Sequence, residues 1–259
     1  MTTTTSSGFS FHRLSMVARY YYPSLRLQLW LYPLIAISIG ITQYALTYTE
    51  IGFLFSGLLS TVINFMVYFG PAVFARYSDR YLETMLPANA LEKAAIIIPY
   101  CLIAIPLFTW GLNSGTINLL DTIFGKQNTI MVEIEESARQ LYSSNLRIIA
   151  EVQEYVPIAT CMFAVVALRH HRAIMGAVWS VVSLIVMAII GAVYGIMTVM
   201  TNTTLGEVAK GNIDADTYIE SISFFDKMEI FLYIFCGLCV AYILLMIWLT
   251  IRKLSKIQL

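Results

Sequence analysis

Charge is what this sequence has least of. Among its 259 residues 12% are charged and 58% hydrophobic, and the mean hydropathy is +0.73. An ordinary soluble domain carries roughly 25% charged residues, so most of this surface is not meant for water. Sixteen basic residues balance sixteen acidic ones, which excludes a strongly basic nucleic-acid binder. Cysteine is scarce too: Cys101, Cys161, Cys236 and Cys239 are the four, and all lie inside apolar stretches. They make neither a disulfide framework nor a metal site. The CxxC spacing of Cys236 and Cys239 lacks the flanking strand–helix–strand pattern of a redox motif, and helix packing accounts for both. No nucleophile–base pair, metal-ligand cluster or phosphate loop is visible, so no catalytic residue, metal or cofactor is expected. His12, His170 and His171 fall at expected membrane edges and read as interfacial polarity. There is no internal repeat, and residues 1–259 are expected to form one transmembrane domain.

What is present is a succession of long apolar runs. A bilayer core about 30 Å thick needs about 20 apolar residues to cross it as helix. Six runs qualify or nearly qualify: Leu27–Leu46, Ile51–Ala75, Ala94–Leu112, Tyr155–Leu168, Ala173–Met200 and Ile230–Ile251. The expected fold is an all-α polytopic membrane helix bundle with about six transmembrane helices and both termini cytoplasmic. The third run contains Pro99 and Pro106, which should kink it. The fourth is short and would have to extend back through 148–154. The first apolar run is a full span, so no cleaved signal peptide is expected.

The sidedness rests on charge placement. Segments 1–26, 76–93, 169–172 and 252–259 together hold eleven of the sixteen Lys and Arg residues but only Asp79, Glu83 and Glu92 among the acids. By the positive-inside rule these segments are cytoplasmic. The outer segments, 113–154 and 201–228, carry charge between periodic apolar residues and read as amphipathic helices at the outer surface. At the other end, Phe9–Leu25 interleaves Phe11, Leu14, Val17, Tyr20 and Tyr21 with His12, Arg13 and Arg19. That pattern suits an interfacial helix against anionic headgroups, within a cytoplasmic tail at 1–26.

The expected span cores hold no ionisable side chain except cysteine and tyrosine. Buried charge in a bilayer usually marks an ion or proton path, so its absence argues against an ion-coupled carrier. Gln43 and Asn64 are the main polar side chains there and are expected to bond between helices. Small residues four apart, at Gly52/Ser56/Ser60, Ala36/Gly40 and Gly191/Gly195, read as close packing within the bundle.

The link at 76–93 is the most informative segment. Ser78 can cap a short helix that Pro87 breaks, and Asn89 followed by Glu92 has the spacing of a capping box for the third span. The run Glu83-Thr84-Met85-Leu86-Pro87, with Glu92 a few residues on, resembles the first cytoplasmic loop of permease subunits in type-2 ATP-binding-cassette transporters. The layout is similar as well: an amphipathic N-terminal stretch, six spans and an outer segment before the last. That resemblance implies a coupling-type loop that docks on a cytosolic ATPase through Arg80, Leu82, Glu83, Met85, Leu86, Pro87 and Glu92. It also implies an exporter subunit in a bacterial inner membrane, paired with itself or a related permease. The competing reading is a non-transport membrane scaffold, sensor or envelope-associated protein.

Overall fold

The computed structural model describes residues 9–46, 52–76, 88–124, 144–168, 171–209 and 215–257. These are helical almost throughout, with no strand among them. Six helical elements follow in chain order. They are α1 (Phe11–Leu46); α2 (Gly52–Phe69) with a tight 3₁₀ continuation, Gly70–Arg76; α3 (Ala90–Phe124); α4 (Ser144–Ala167); α5 (Arg172–Ala209); and α6 (Ala215–Ile257). Among the described residues, α1, α2, α3, α5 and α6 each contain a stretch long and apolar enough to cross a membrane. The chain is a multi-pass helical membrane protein.

Hydrogen bonds fix the register. Ser10, just before α1, and Arg13 on it meet Glu92 of α3, Gln28 meets Tyr100, and Gln43 meets Asn113. The rising numbers make α1 and α3 parallel. Gln28 also reaches Gly70 O and Gln43 reaches Ser56 O, so α2 runs against them. Thr160 of α4 pairs with Tyr242 of α6. The helices alternate in direction, and the start of α1 and the end of α6 lie at one end of the bundle.

The larger core among the described residues lies toward that end. It joins Val17, Tyr21 and Leu25 with Val67, Phe74, Ile97, Cys101, Ile158, Met162, Val165 and Leu254. A void of only about 10 Å³ is bordered by Tyr21, Phe74, Ile97, Val165, Val166, Arg172 and Leu254, at least one residue from every helix. At that point all six converge. Gly176 makes part of this possible: a side chain there would meet Val165 at 2.8 Å, so glycine lets α5 lie directly on α4. The turn between these two is tight. His171 adopts a left-handed backbone (φ 49°), and Arg172 donates from Nε to Leu168 O at 3.0 Å, placing a cation where the last carbonyls of α4 are bare.

The structure redraws several sequence boundaries. The interfacial stretch and the first span are one continuous helix, α1, whose buried stripe Val17, Tyr21, Leu25, Gln28, Ala36 and Gln43 faces the bundle from the start. Pro23 and Pro33 sit inside it. The third span does not end at Leu112 but runs to Phe124. Pro99 and Pro106 are each followed by a π-helical turn, Tyr100–Ala104 and Leu107–Gly111. A proline cannot donate to the ladder, and the wider turn re-pairs the neighbours one residue further back: Ile105 N–H reaches Tyr100 O and Leu112 N–H reaches Leu107 O. Helix α4 does extend back through Glu151, to Ser144. The outer segment at 201–228, expected to hold an amphipathic helix, is mostly helix that continues from α5 and leads into α6. At 38 and 43 residues, α5 and α6 are about 57 and 64 Å long, well beyond a hydrocarbon core of about 30 Å.

Candidate functional site: the clamp at the base of α3

Of the residues expected to dock a partner, Arg80, Leu82, Glu83, Met85, Leu86 and Pro87 lie outside the described residues. Glu92 is described, and its position is informative. It sits in the first turn of α3, before the apolar run that begins at Ala94, and is fully buried.

Its two oxygens serve two helices. Oε2 accepts from Asn89 N–H at 2.8 Å, which is the reciprocal half of the expected capping box. Oε1 accepts from Ser10 N–H at 2.8 Å and Arg13 Nε at 3.1 Å, and lies 3.0 Å from a second guanidinium nitrogen of Arg13. A carboxylate stripped of water costs several kcal/mol unless charge and donors replace the solvent; four donors do so here. Burial by itself pushes this carboxyl up, but the Ser10 and Asn89 amides and the Arg13 charge outweigh it and hold it below its ordinary value. Glu92 therefore ties the beginning of α1 to the beginning of α3, at the exit of the 76–93 link.

Further along the α1–α3 seam the polarity is uncharged. Gln28 donates to Gly70 O at 3.1 Å and accepts from the Tyr100 hydroxyl at 3.0 Å. Trp110 Nε1 donates to Asn64 Oδ1 at 2.8 Å. Gln43 donates to Ser60 Oγ at 2.8 Å and Ser56 O at 3.1 Å, and accepts from Asn113 Nδ2 at 3.1 Å. The expected role of Gln43 and Asn64 as interhelical bonders holds. Two aromatic chains flank the π turns: Tyr21–Phe74–Tyr100 with centroids 5.3 and 5.7 Å apart, and Tyr68–Trp110–Tyr155 at 6.2 and 6.0 Å.

The small-residue stripes divide. Ala36 and Gly40 are buried against α3, where a side chain at Gly40 would meet Asn113 O at 3.1 Å. Gly191 has nothing within 4 Å and is exposed, so the packing reading fails there. Cys101, Cys161 and Cys239 are buried and all four cysteines are free thiols.

The Arg13–Glu92 pair, Tyr100 with Gln28, and Asn113 with Gln43 are the residues sequence reasoning passed over. A signal for the first existed: Arg13 stands four residues before Val17 on the stripe Val17, Tyr21, Leu25, which puts a cation on the buried face of α1. Comparison with known proteins adds nothing to this geometry, since no family model, curated protein or solved structure matches the chain.

Proposed function

We propose that the chain is the permease-type membrane subunit of an ATP-driven exporter, working with a separate cytosolic ATPase of the ATP-binding-cassette class. In this reading the end that holds the start of α1 and the end of α6 faces the cytoplasm of a bacterial inner membrane, and the subunit pairs with itself or with a related permease. The observation that carries it is the clamp. The link at 76–93 exits through Asn89 and Glu92, and Glu92 holds both α3 and α1, close to the convergence of six helices. A partner pressing on the link would act on two helices at once. Nucleotide then drives transport to the extent that the ATPase binds one bundle arrangement better than the other.

Docking would be through Leu82, Met85 and Leu86, with Arg80 and Glu83 at the rim and Pro87 ending the short helix. Glu92, being buried, serves this contact from behind. Truncated interface anchors commonly cost more than about 1 kcal/mol each. The double change Leu82→Ala with Met85→Ala should weaken ATPase capture at least roughly tenfold with membrane insertion unchanged. The measurement is ATPase co-purified with the tagged chain from its native membrane, normalised to folded protein. An ATPase that co-purifies and is fully retained by the double variant removes the link from this role. Recovery of no ATPase favours the scaffold or sensor reading.

A further inference from the structure

Prolines interrupt the hydrogen-bond ladders of α1 and α3 between the same two contacts. These helices are parallel and held together twice, by the Arg13–Glu92 ion pair at the base and, nearer the far end, by the close approach of Gly40 to Asn113 and Thr116 beside the Gln43–Asn113 bond. Between Arg13 and Gln43, α1 carries Pro23 and Pro33. Between Glu92 and Asn113, α3 carries Pro99 and Pro106 with their two π turns. Midway, Gln28 and Tyr100 join the helices across the weakened zone. Each proline removes one i→i−4 hydrogen bond from its helix, and proline and π turns are the ordinary causes of helix bending. Two rods pinned at both ends cannot bend independently, because a bend in one alone would break a pin.

We propose that α1 and α3 form a paired hinge. The two helices bend together over Pro23–Pro33 and Pro99–Gly111, while the base unit built on Ser10, Arg13, Asn89 and Glu92 moves as one body. The motion is intrinsic to the chain and needs no partner. It therefore stands apart from the exporter reading and would survive if no ATPase were found. The uncharged bonds at Gln28 and Tyr100 suit this place, because they can lengthen without stranding a charge, whereas the base clamp is ionic and buried.

The test is pulsed electron paramagnetic resonance on the full chain in lipid nanodiscs, with spin labels on exposed positions. Cys236, the half-buried thiol, is changed to Ala to keep the labelling clean. One label pair, Phe11→Cys with Ile41→Cys, spans α1. Another, Leu91→Cys with Leu119→Cys, spans α3. A third, Phe11→Cys with Leu91→Cys, bridges the base. The expected result is two distance populations for each spanning pair and one narrow population for the base pair. Replacing Pro99 and Pro106 by Ala should remove the second population in α3 and, through the clamps, in α1 as well. Arg13→Gln should broaden the base pair and leave α3 with both populations, a result that stands even if the proline variant fails to fold. A single narrow distance along α3 in the otherwise unaltered chain overturns the hinge. An α1 pair that keeps both populations when α3 has lost its second one overturns the pairing.

Discussion

Helices α4 and α6 run the same way through one bundle and contribute to it oppositely. In α4, Ile158, Ala159, Cys161, Met162 and Val165 are buried to 2% exposure or less. In α6, Leu238, Leu244 and Trp248 are exposed by half or more, and only Cys239, Thr250 and Leu254 are fully enclosed among its described residues. Yet α6 has a strongly apolar window, while α4 carries Glu151 and Glu154 in its first half. A helix surrounded by lipid must be apolar all round, because each polar group in hydrocarbon is costly. A helix surrounded by protein needs only side chains that fit their neighbours. Hydropathy therefore measures contact with lipid, and the centre of a membrane bundle is where it reads weakest.

The sharpest way to break that contrast is to truncate the centre. Ile158→Ala removes a fully buried side chain and should cost about 4 kcal/mol, measured as thermal unfolding in detergent by tryptophan fluorescence. Next comes Gly176→Leu, which drives atoms into Val165 where α5 lies on α4. Overpacking of this kind should cost up to about 3 kcal/mol, and Gly191→Leu, in open space, should cost almost nothing. Arg13→Gln leaves the Glu92 carboxylate with its two amide donors but no counter-charge, a loss of about 2 kcal/mol; the same substitution at exposed Arg252 should have no measurable effect.

The pH dependence of the clamp follows from its direction. Glu92 ionises more readily folded than unfolded. Its contribution is complete above the ordinary glutamate range, about pH 4.3, and is lost as pH falls through the lower folded value. The stability difference between the unaltered chain and Glu92→Gln should therefore narrow only below about pH 4. The smallest effect belongs to α6: Leu238→Ala, on its exposed face, should change stability by less than about 0.5 kcal/mol. A loss as large as that at Ile158 would mean that this face meets another protein rather than lipid.

Much of the fold was legible because lipid contact writes itself into composition. Each of the six apolar runs fell on one of the six helices, and the Asn89–Glu92 spacing found the cap of α3. What stayed hidden depended on contacts distant in sequence. Nothing local to Arg13 says that its partner is 79 residues away, and treating Phe9–Leu25 as a surface helix concealed its register with the buried stripe. The prolines of α3 announced a disturbance, but not the π turns that accommodate it. The outer stretches were read as separate amphipathic helices, whereas α3, α5 and α6 run on into them without a break.

The lengths of α5 and α6 carry a mechanical consequence. A stiff rod amplifies rotation in proportion to its length. If its base turns by about 10°, the tip of a helix about 57 Å long sweeps through about 10 Å. Both helices begin or end in the dense packing where Arg172 and Leu254 border the common void, so any rearrangement there is geared up at the opposite extremity. A sub-ångström adjustment around Val165 and Gly176, too small to alter the core, becomes a displacement there that a neighbouring molecule would feel.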